Sequence, residues 1–301
     1  MPDYSQAMDK ALQVTRIRSF NRTVTRRIGV LEDSYLSRGR PLGEARVIFE
    51  IGLEGAGLGV LRSRLGLDSG YLSRMLRSLE AQGLVAVGKH AGDARSRRAT
   101  LTQKGRDEHA AYDALSDELA NSILDPLSVS RRDRLVAAMA EVERLLMAAS
   151  ITIGEEAPNS AEARQCLAQY FDELAERFEK GFDPARGNTT TEEEFIPPRG
   201  SFVIARLDGR PVGCAALRMI DATTAEIKRM WVAPSARGLG IASRLLLKLE
   251  AIAAGLGAKT VCLDTNRALK EAQTLYRREG YEEIARFNDN PYADHWFEKR
   301  L

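Results

Sequence analysis

Apolar side chains spaced for helices dominate the first half of the chain. Over residues 7–38, Ala11, Val14, Ile17, Val24, Ile28 and Leu31 form one stripe and predict a single long helix. Pro41 breaks the pattern, and residues 43–53 predict a second helix. Two shorter runs follow, 58–66 with Leu61 and Leu65, and 68–82 with Leu72, Met75, Leu76 and Leu79 facing inward. Asp68 stands where its carboxylate can accept from first-turn N–H groups, and Gly66-Leu67 joins the two runs into a helix-turn-helix. The period then shortens: residues 84–89 and 97–101 predict strands around a loop at 90–96. Thr102 caps an expected helix at 103–124, and Pro126 separates it from another at 130–148. Their apolar faces carry Leu115, Leu119 and Ile123, then Leu135, Met139, Val142 and Leu146.

From about residue 150 strands alternate with helices. A strand at 151–154 precedes a helix at 161–179 and a polar stretch, 181–200, that reads as a loop near a substrate entrance. Strands at 201–207 and 211–219 flank the turn Asp208-Gly209-Arg210. A third, 226–232, ends in Met230, Trp231 and Val232 and is closed by Pro234. Then Arg237-Gly238-Leu239-Gly240-Ile241-Ala242-Ser243 opens a helix with Ile241, Leu245, Leu246 and Leu249 on one face. A strand at 260–264, a helix at 270–279 and a closing hairpin from Tyr281 to Trp296-Phe297-Glu298 complete the order β-α-β-β-β-α-β-α-β. The expectation is a multidomain chain: residues 1–149 mainly helical with a hairpin, and residues 150–301 an α/β domain with a mixed central sheet. The junction around 147–157 is short.

At 301 residues two domains are a natural prior. No apolar run is long enough for a bilayer and MPDYSQAMDK lacks a signal peptide's hydrophobic region, so a soluble, cytoplasmic protein is expected, with no membrane partner. Cys166, Cys214 and Cys262 are scattered without metal-ligand spacing, and no metal is expected. Charge is nearly balanced overall but not locally. Between Val60 and Arg106 ten Lys or Arg face three acids, a net of +7 and the footprint of a nucleic-acid-binding module. The first helix adds Lys10, Arg16, Arg18, Arg22, Arg26 and Arg27, either a solvated face or one near phosphates.

A glycine-flanked turn entering a helix leaves backbone N–H groups pointing outward at the positive end of the helix dipole. The stretch from Arg237 is either a plain strand-turn-helix or a pyrophosphate site. It resembles the Q/R-x-x-G-x-G/A acetyl-coenzyme A signature of the GNAT family of N-acetyltransferases, with Arg237, Gly240 and Ala242 at the defining positions. The order of elements extends that resemblance over residues 150–301. It implies acetyl-CoA as acetyl donor, cradled by residues 237–243, with Met230, Trp231 and Val232 pairing with the pantetheine arm as an added strand. The Met230 or Val232 N–H polarises the thioester carbonyl. The run from Asn266 to Gly280 resembles the family's N-x-x-A-x-x-L-Y-x-x-x-G helix with a longer Asn-to-Tyr gap. Tyr276 is thereby the general acid for the leaving thiolate, and Asn266 bonds the pantetheine or the amide region. Glu226, six residues before Val232, is the expected base, directly or through water, or else an ion-paired strand carboxylate.

In the first half, Asp93-x-Arg95 followed by Leu101-Thr102-x-x-Gly105 resembles the wing of the MarR family of winged-helix regulators, over about residues 5–148. There the tip arginine, matched by Arg95, enters the minor groove and the aspartate, matched by Asp93, steadies it. Ser69, Gly70, Tyr71, Ser73, Arg74 and Arg77 suit a helix in the major groove, and Arg97 joins them from the returning strand. The resemblance implies a homodimer on a pseudo-palindromic double-stranded DNA operator.

The expected function is a bifunctional transcriptional regulator and acetyl-CoA-dependent N-acetyltransferase acting on an amine, whether a small amine, an amino acid or a protein amine. The alternative is a regulator whose acetyltransferase half serves mainly as a ligand or acetyl-CoA sensor. Arg206, Arg218, Lys228 and Arg229 are strand cations that face a substrate anion or are paired within the fold, and Asn288, Asn290, Pro291, Tyr292 and His295 form a possible lid.

Overall fold

In the computed structural model, which describes residues 4–90, 93–179, 181–184, 186 and 191–301, with side chains at 9–88 and from 97 onward within those ranges, helix α1 is Tyr4–Arg27. It ends well before the expected residue 38. The cause is Gly29, which takes φ 68 so that Val30 N–H donates to Thr25 O at 3.1 Å and Gly29 N–H to Arg26 O at 3.4 Å. This glycine stop satisfies two terminal carbonyls and turns the chain away. Leu31, assigned to the apolar stripe, is accordingly exposed.

The chain divides into two compact units, Met1–Val136 and Ala137–Leu301. In the first, α2 (Leu42–Ile51), the short strand β1 (Ala56–Gly57), α3 (Leu58–Leu65) and α4 (Ser69–Ala81) pack with a hairpin of β2 (Val85–His90) and β3 (Asp93–Leu101). Strands β1, β3 and β2 form one antiparallel sheet. Their shared core holds Val47, Ile48, Leu61, Leu72, Leu76, Leu79, Leu84 and Leu101. Asp68 caps α4 by accepting from Tyr71 N–H at 2.9 Å, and Thr102 caps α5 (Gln103–Leu124) by accepting from Gly105 N–H at 3.0 Å. Behind the core Glu108, 7% exposed, takes Arg38 at 2.7 Å and Arg40 at 2.6 Å. Helix α6, Val129–Ser150, crosses the division between units and buries none of its residues.

In the second unit β4 (Thr152–Glu155), β5 (Gly200–Leu207), β6 (Arg210–Met219), β7 (Thr224–Val232), β8 (Thr260–Thr265), β9 (Glu282–Ile284) and β10 (His295–Arg300) form a seven-stranded sheet in the order β4-β5-β6-β7-β8-β10-β9. All neighbours are antiparallel except β7 and β8, which are joined by α8 (Ile241–Gly255). One face packs on α8 and α9 (Lys270–Arg278) through Leu245, Leu246, Leu249 and Tyr276. The other packs on α7 (Ala161–Arg177) through Ala163, Cys166 and Trp231. The cysteines are buried, as their apolar neighbourhoods predict.

Gly105 marks the closest approach in the first unit, since a Cβ there would lie 2.0 Å from Leu84 O. Gly105→Ala must push α5 off the hairpin, and a loss of about 1–3 kcal/mol is expected in chemical denaturation. An unchanged midpoint would show that α5 is not held at this distance.

Candidate functional site

The parallel pairing of β7 with β8 runs from Thr224↔Thr260 to Ile227↔Leu263 and then stops, although both strands continue. On its other side β7 slips register against β6 between Cys214 and Ala216, where Arg229 takes φ 54. The divergence leaves the β8-facing edge of Met230, Trp231 and Val232 without a strand partner among the described residues.

Below that edge lies a cavity of about 390 Å³ lined by Met230, Trp231, Val232, Arg237, Gly238, Gly240, Ile241, Ala242 and Ser243. Leu239 points away into the core. The N-cap of α8 is Gly240 in the left-handed region, φ 75, and Gly238 is also left-handed, φ 81. No side chain caps α8, whereas Asp68, Thr102 and Ser160 cap α4, α5 and α7. The N–H groups of residues 238–243 find no acceptor among the described residues. Such a row at a helix start suits a phosphate anion. Arg177 and Arg278 line the same cavity. The residues present therefore fit a pyrophosphate-bearing coenzyme.

The Arg237 guanidinium turns to α7, where Nη2 meets both oxygens of Glu173 at 2.6 Å and Nε donates to Val232 O at 3.1 Å. Glu173 also accepts from Trp231 Nε1 at 2.9 Å and from Arg177 at 3.1 Å, and Arg177 reaches Glu271. Sequence reasoning missed Glu173, for which an acid in a helix register carries no signal.

A second cavity, about 110 Å³, shares Tyr170, Leu174, Met230, Leu269 and Ala272 with the first. Tyr276 and Asn266 line it. Tyr276 is buried, its ring packs near Tyr281 and Phe297, and its hydroxyl has no hydrogen-bond partner among the described residues. Burial, and then the nearby Asp264 charge, push its pKa above the usual phenol value, so it keeps its proton. Asn266 donates to Tyr292 O at 2.7 Å and accepts from Ala268 N–H at 2.9 Å, both interactions within the protein.

Glu226 lines neither cavity. It is fully buried and holds Arg218 Nε at 2.6 Å, Lys228 Nζ at 3.0 Å and Asn288 Nδ2 at 3.0 Å. Burial raises its pKa, but Lys228 and Arg218 outweigh that and hold it below the ordinary carboxylate value. A carboxylate so paired is a weak proton acceptor, and the geometry favours its alternative reading as an ion-paired strand residue that positions Lys228. Arg206 is likewise paired within the fold, with Glu156 and Glu162. The carboxylate that does line the second cavity is Asp264 at the end of β8, which accepts from Asn288 at 2.6 Å and Asn290 at 2.7 Å. Only the pairing of β7 with β8 brings it beside the central strand.

In the first unit Ser69, Tyr71, Ser73, Arg74 and Arg77 are exposed on α4, opposite its buried leucines, and Arg97 is exposed on β3. Arg74 lies over the Tyr71 ring at 5.5 Å. The side chains of Asp93 and Arg95 fall outside the described residues.

Residues 167–281 match the model of the acetyltransferase (GNAT) family. An IAA acetyltransferase of Azospirillum brasilense is 31% identical over 146 residues, 48% of this chain and 91% of that protein. The chain belongs to the GNAT acetyltransferase family. Ahead of the GNAT domain, residues 38–96 match the MarR family model, so the chain joins a MarR domain to a GNAT domain. An uncharacterised N-acetyltransferase of Mycobacterium bovis is 36% identical over 89 residues, 30% of this chain and 57% of that protein. A GNAT-family acetyltransferase structure from Staphylococcus aureus Mu50 aligns over 50% of this chain and 99% of that one, at 20% identity and a TM-score of 0.44. No helix among the described residues is long and apolar enough to cross a membrane.

Glu226→Gln removes the buried charge that two half-buried cations share, and a loss of about 3 kcal/mol is expected at neutral pH. Because the folded pKa is depressed, the wild-type advantage exists above the unfolded value of 4.5 and fades as pH falls through the folded one. Denaturation curves of the two proteins should converge in acid; a constant gap would remove the carboxylate charge as the cause.

Proposed function

We propose that this chain is a bifunctional regulator and acetyl-CoA-dependent N-acetyltransferase, binding an operator through its MarR domain and acetylating an amine in its GNAT domain. The uncapped row of N–H groups at residues 238–243, opening beside the free edge of Met230–Val232, carries the reading. Bound acetyl-CoA would supply an acetyl group activated as a thioester. The N–H row and Arg278 hold its pyrophosphate, the β7 edge pairs with its pantetheine arm, and a Met230 or Val232 N–H stabilises the charge that develops on the carbonyl oxygen. Tyr276, a buried hydroxyl lacking a protein partner, donates its proton to the leaving sulfur. Glu226 takes part only indirectly, by holding Lys228 in place. The sensor reading needs the same cradle, so turnover decides between the two.

The experiment is a screen of amines for coenzyme A release, beside a melting curve with acetyl-CoA. At about 100 times Kd the ligand should add roughly 2.7 kcal/mol of stability. Tyr276→Phe should lower kcat about 100-fold while coenzyme A affinity stays within about twofold. A melting shift without release from any amine would favour the sensor, and no shift in a folded protein would remove the site.

For the MarR domain we propose that α4 enters the major groove, with Arg95 and Asp93 in the wing, and that two copies bind a pseudo-palindromic operator. Exposed Leu12, Ile17 and Phe20 on α1 and exposed Val136, Met139 and Leu146 on α6 support a homodimer, because apolar helix faces of this extent call for a covering partner. Arg74→Ala and Arg77→Ala should each weaken operator binding and reduce the salt slope by about one. An unaltered slope in both would take α4 off the DNA.

A further inference from the structure

The acceptor amine is not fixed by the acetyltransferase reading, but the wall of the second cavity narrows it. Asp264 lines that cavity from near the end of β8, with its side chain 9% exposed. Asn288 donates to one of its oxygens at 2.6 Å and Asn290 to the other at 2.7 Å. A carboxylate has about four lone-pair sites, so these two neutral amides orient Asp264 and leave each oxygen able to accept once more. Both cations lining the cavity are occupied. Lys228 donates to Glu226 at 3.0 Å and stands 3.7 Å from Asp264, beyond hydrogen-bond reach. Arg229 is engaged within the protein, its guanidinium 4.6 Å from the Phe195 ring centroid. The wall also holds an aromatic cluster, Phe178, Phe182 and Tyr292, with ring centroids 4.8–5.9 Å apart. Tyr170, Leu174 and Met230 line both cavities, so an amine held at Asp264 sits next to the coenzyme space.

We propose that the acceptor is an arylalkylamine, a primary amine with an aromatic body and no carboxylate: Asp264 holds its ammonium group, and the Phe178–Phe182–Tyr292 cluster receives its ring. This rests on the acetyltransferase reading. An oriented carboxylate with spare acceptor capacity beside aromatic faces is what an ammonium cation on an aryl body needs. A carboxylate on the acceptor would instead lie close to Asp264, with both lining cations already engaged, and like charges repel. The acceptor nitrogen gives one proton to Asp264, which passes it to solvent. The lone pair so freed forms the new C–N bond as the thioester C–S bond breaks. Tyr276 protonates the departing sulfur, and a second nitrogen proton restores the tyrosine. The balance is ammonium plus thioester to amide, free thiol and one proton.

The test compares phenethylamine, L-phenylalanine and n-butylamine by coenzyme A release, and by calorimetric titration into protein saturated with coenzyme A. Phenethylamine should exceed L-phenylalanine by about 10- to 100-fold in both kcat/KM and affinity, because the added carboxylate meets Asp264. It should exceed n-butylamine by about tenfold, because only its ring packs on the aromatic cluster. Asp264→Asn should weaken calorimetric binding of phenethylamine at least tenfold. Phe182→Ala should bring the phenethylamine-to-butylamine ratio toward one. Each variant should keep the wild-type melting shift with acetyl-CoA, which verifies its fold and its coenzyme cradle, and the three-amine comparison in the wild-type protein decides the class even where a variant fails to fold. Equal or better use of L-phenylalanine or n-butylamine overturns the proposal, and so does unchanged phenethylamine binding in Asp264→Asn. Release only with amines outside this class overturns it while leaving the acetyltransferase reading intact. No release from any amine overturns both.

Discussion

The ladder of alternating charges where β7 and β8 part, Arg218, Glu226, Lys228 and Asp264, is the constraint on which the GNAT site depends. A carboxylate with no solvent exposure survives only because two cations and an amide surround it. Those partners hold the strands in the one arrangement where pairing ends at Ile227 and Leu263. Beyond that point the edge of β7 is open, and Asn288 links Glu226 to Asp264 across the gap. Polar groups thus hold open a wedge in an otherwise apolar sheet, and both cavities lie at that wedge.

The cradle at α8 depends on an opposite device. Side chains satisfy the starts of α4, α5 and α7, from Asp68, Thr102 and Ser160, while α2, α3 and α9 lack a side-chain cap; α8 starts on a left-handed glycine and leaves its N–H groups without acceptors among the described residues. That choice sacrifices about 1 kcal/mol of capping and leaves N–H groups whose arrangement suits an anion. Glu173 keeps the loop in place, since it ties Arg237 and Trp231 to α7 and is flanked there by Arg177 on the same helix.

In the MarR domain the same separation of roles holds. The leucines of α4 and the Arg38–Glu108–Arg40 cluster fix the scaffold, and the polar face of α4 is left to solvent. Leu12, Ile17 and Phe20 of α1 and Val136, Met139 and Leu146 of α6 are exposed, so their pattern reads as helix while saying nothing about burial.

The sequence by itself determined what depends on near neighbours. Periodicity located α4, α5, α7 and α8, turn residues located the hairpins, and the glycine-flanked turn at 237–242 marked the helix start with outward N–H groups, because capping and left-handed turns involve groups a few residues apart. Gly29 was missed only because the apolar spacing continues past it, although the stop it makes is equally local. The fate of Glu226 was decided by tertiary structure alone. Arg218, Lys228, Asp264 and Asn288 lie on different strands and a distant loop, and nothing in their spacing says that they meet. Arg206, beside Glu156 and Glu162, and Arg229, which lines the second cavity, read alike as strand cations, and only the fold tells where each sits. Whether a charged side chain meets solvent, a partner or a substrate is fixed by long-range packing, since the cost of burying charge is settled by neighbours that the fold alone supplies.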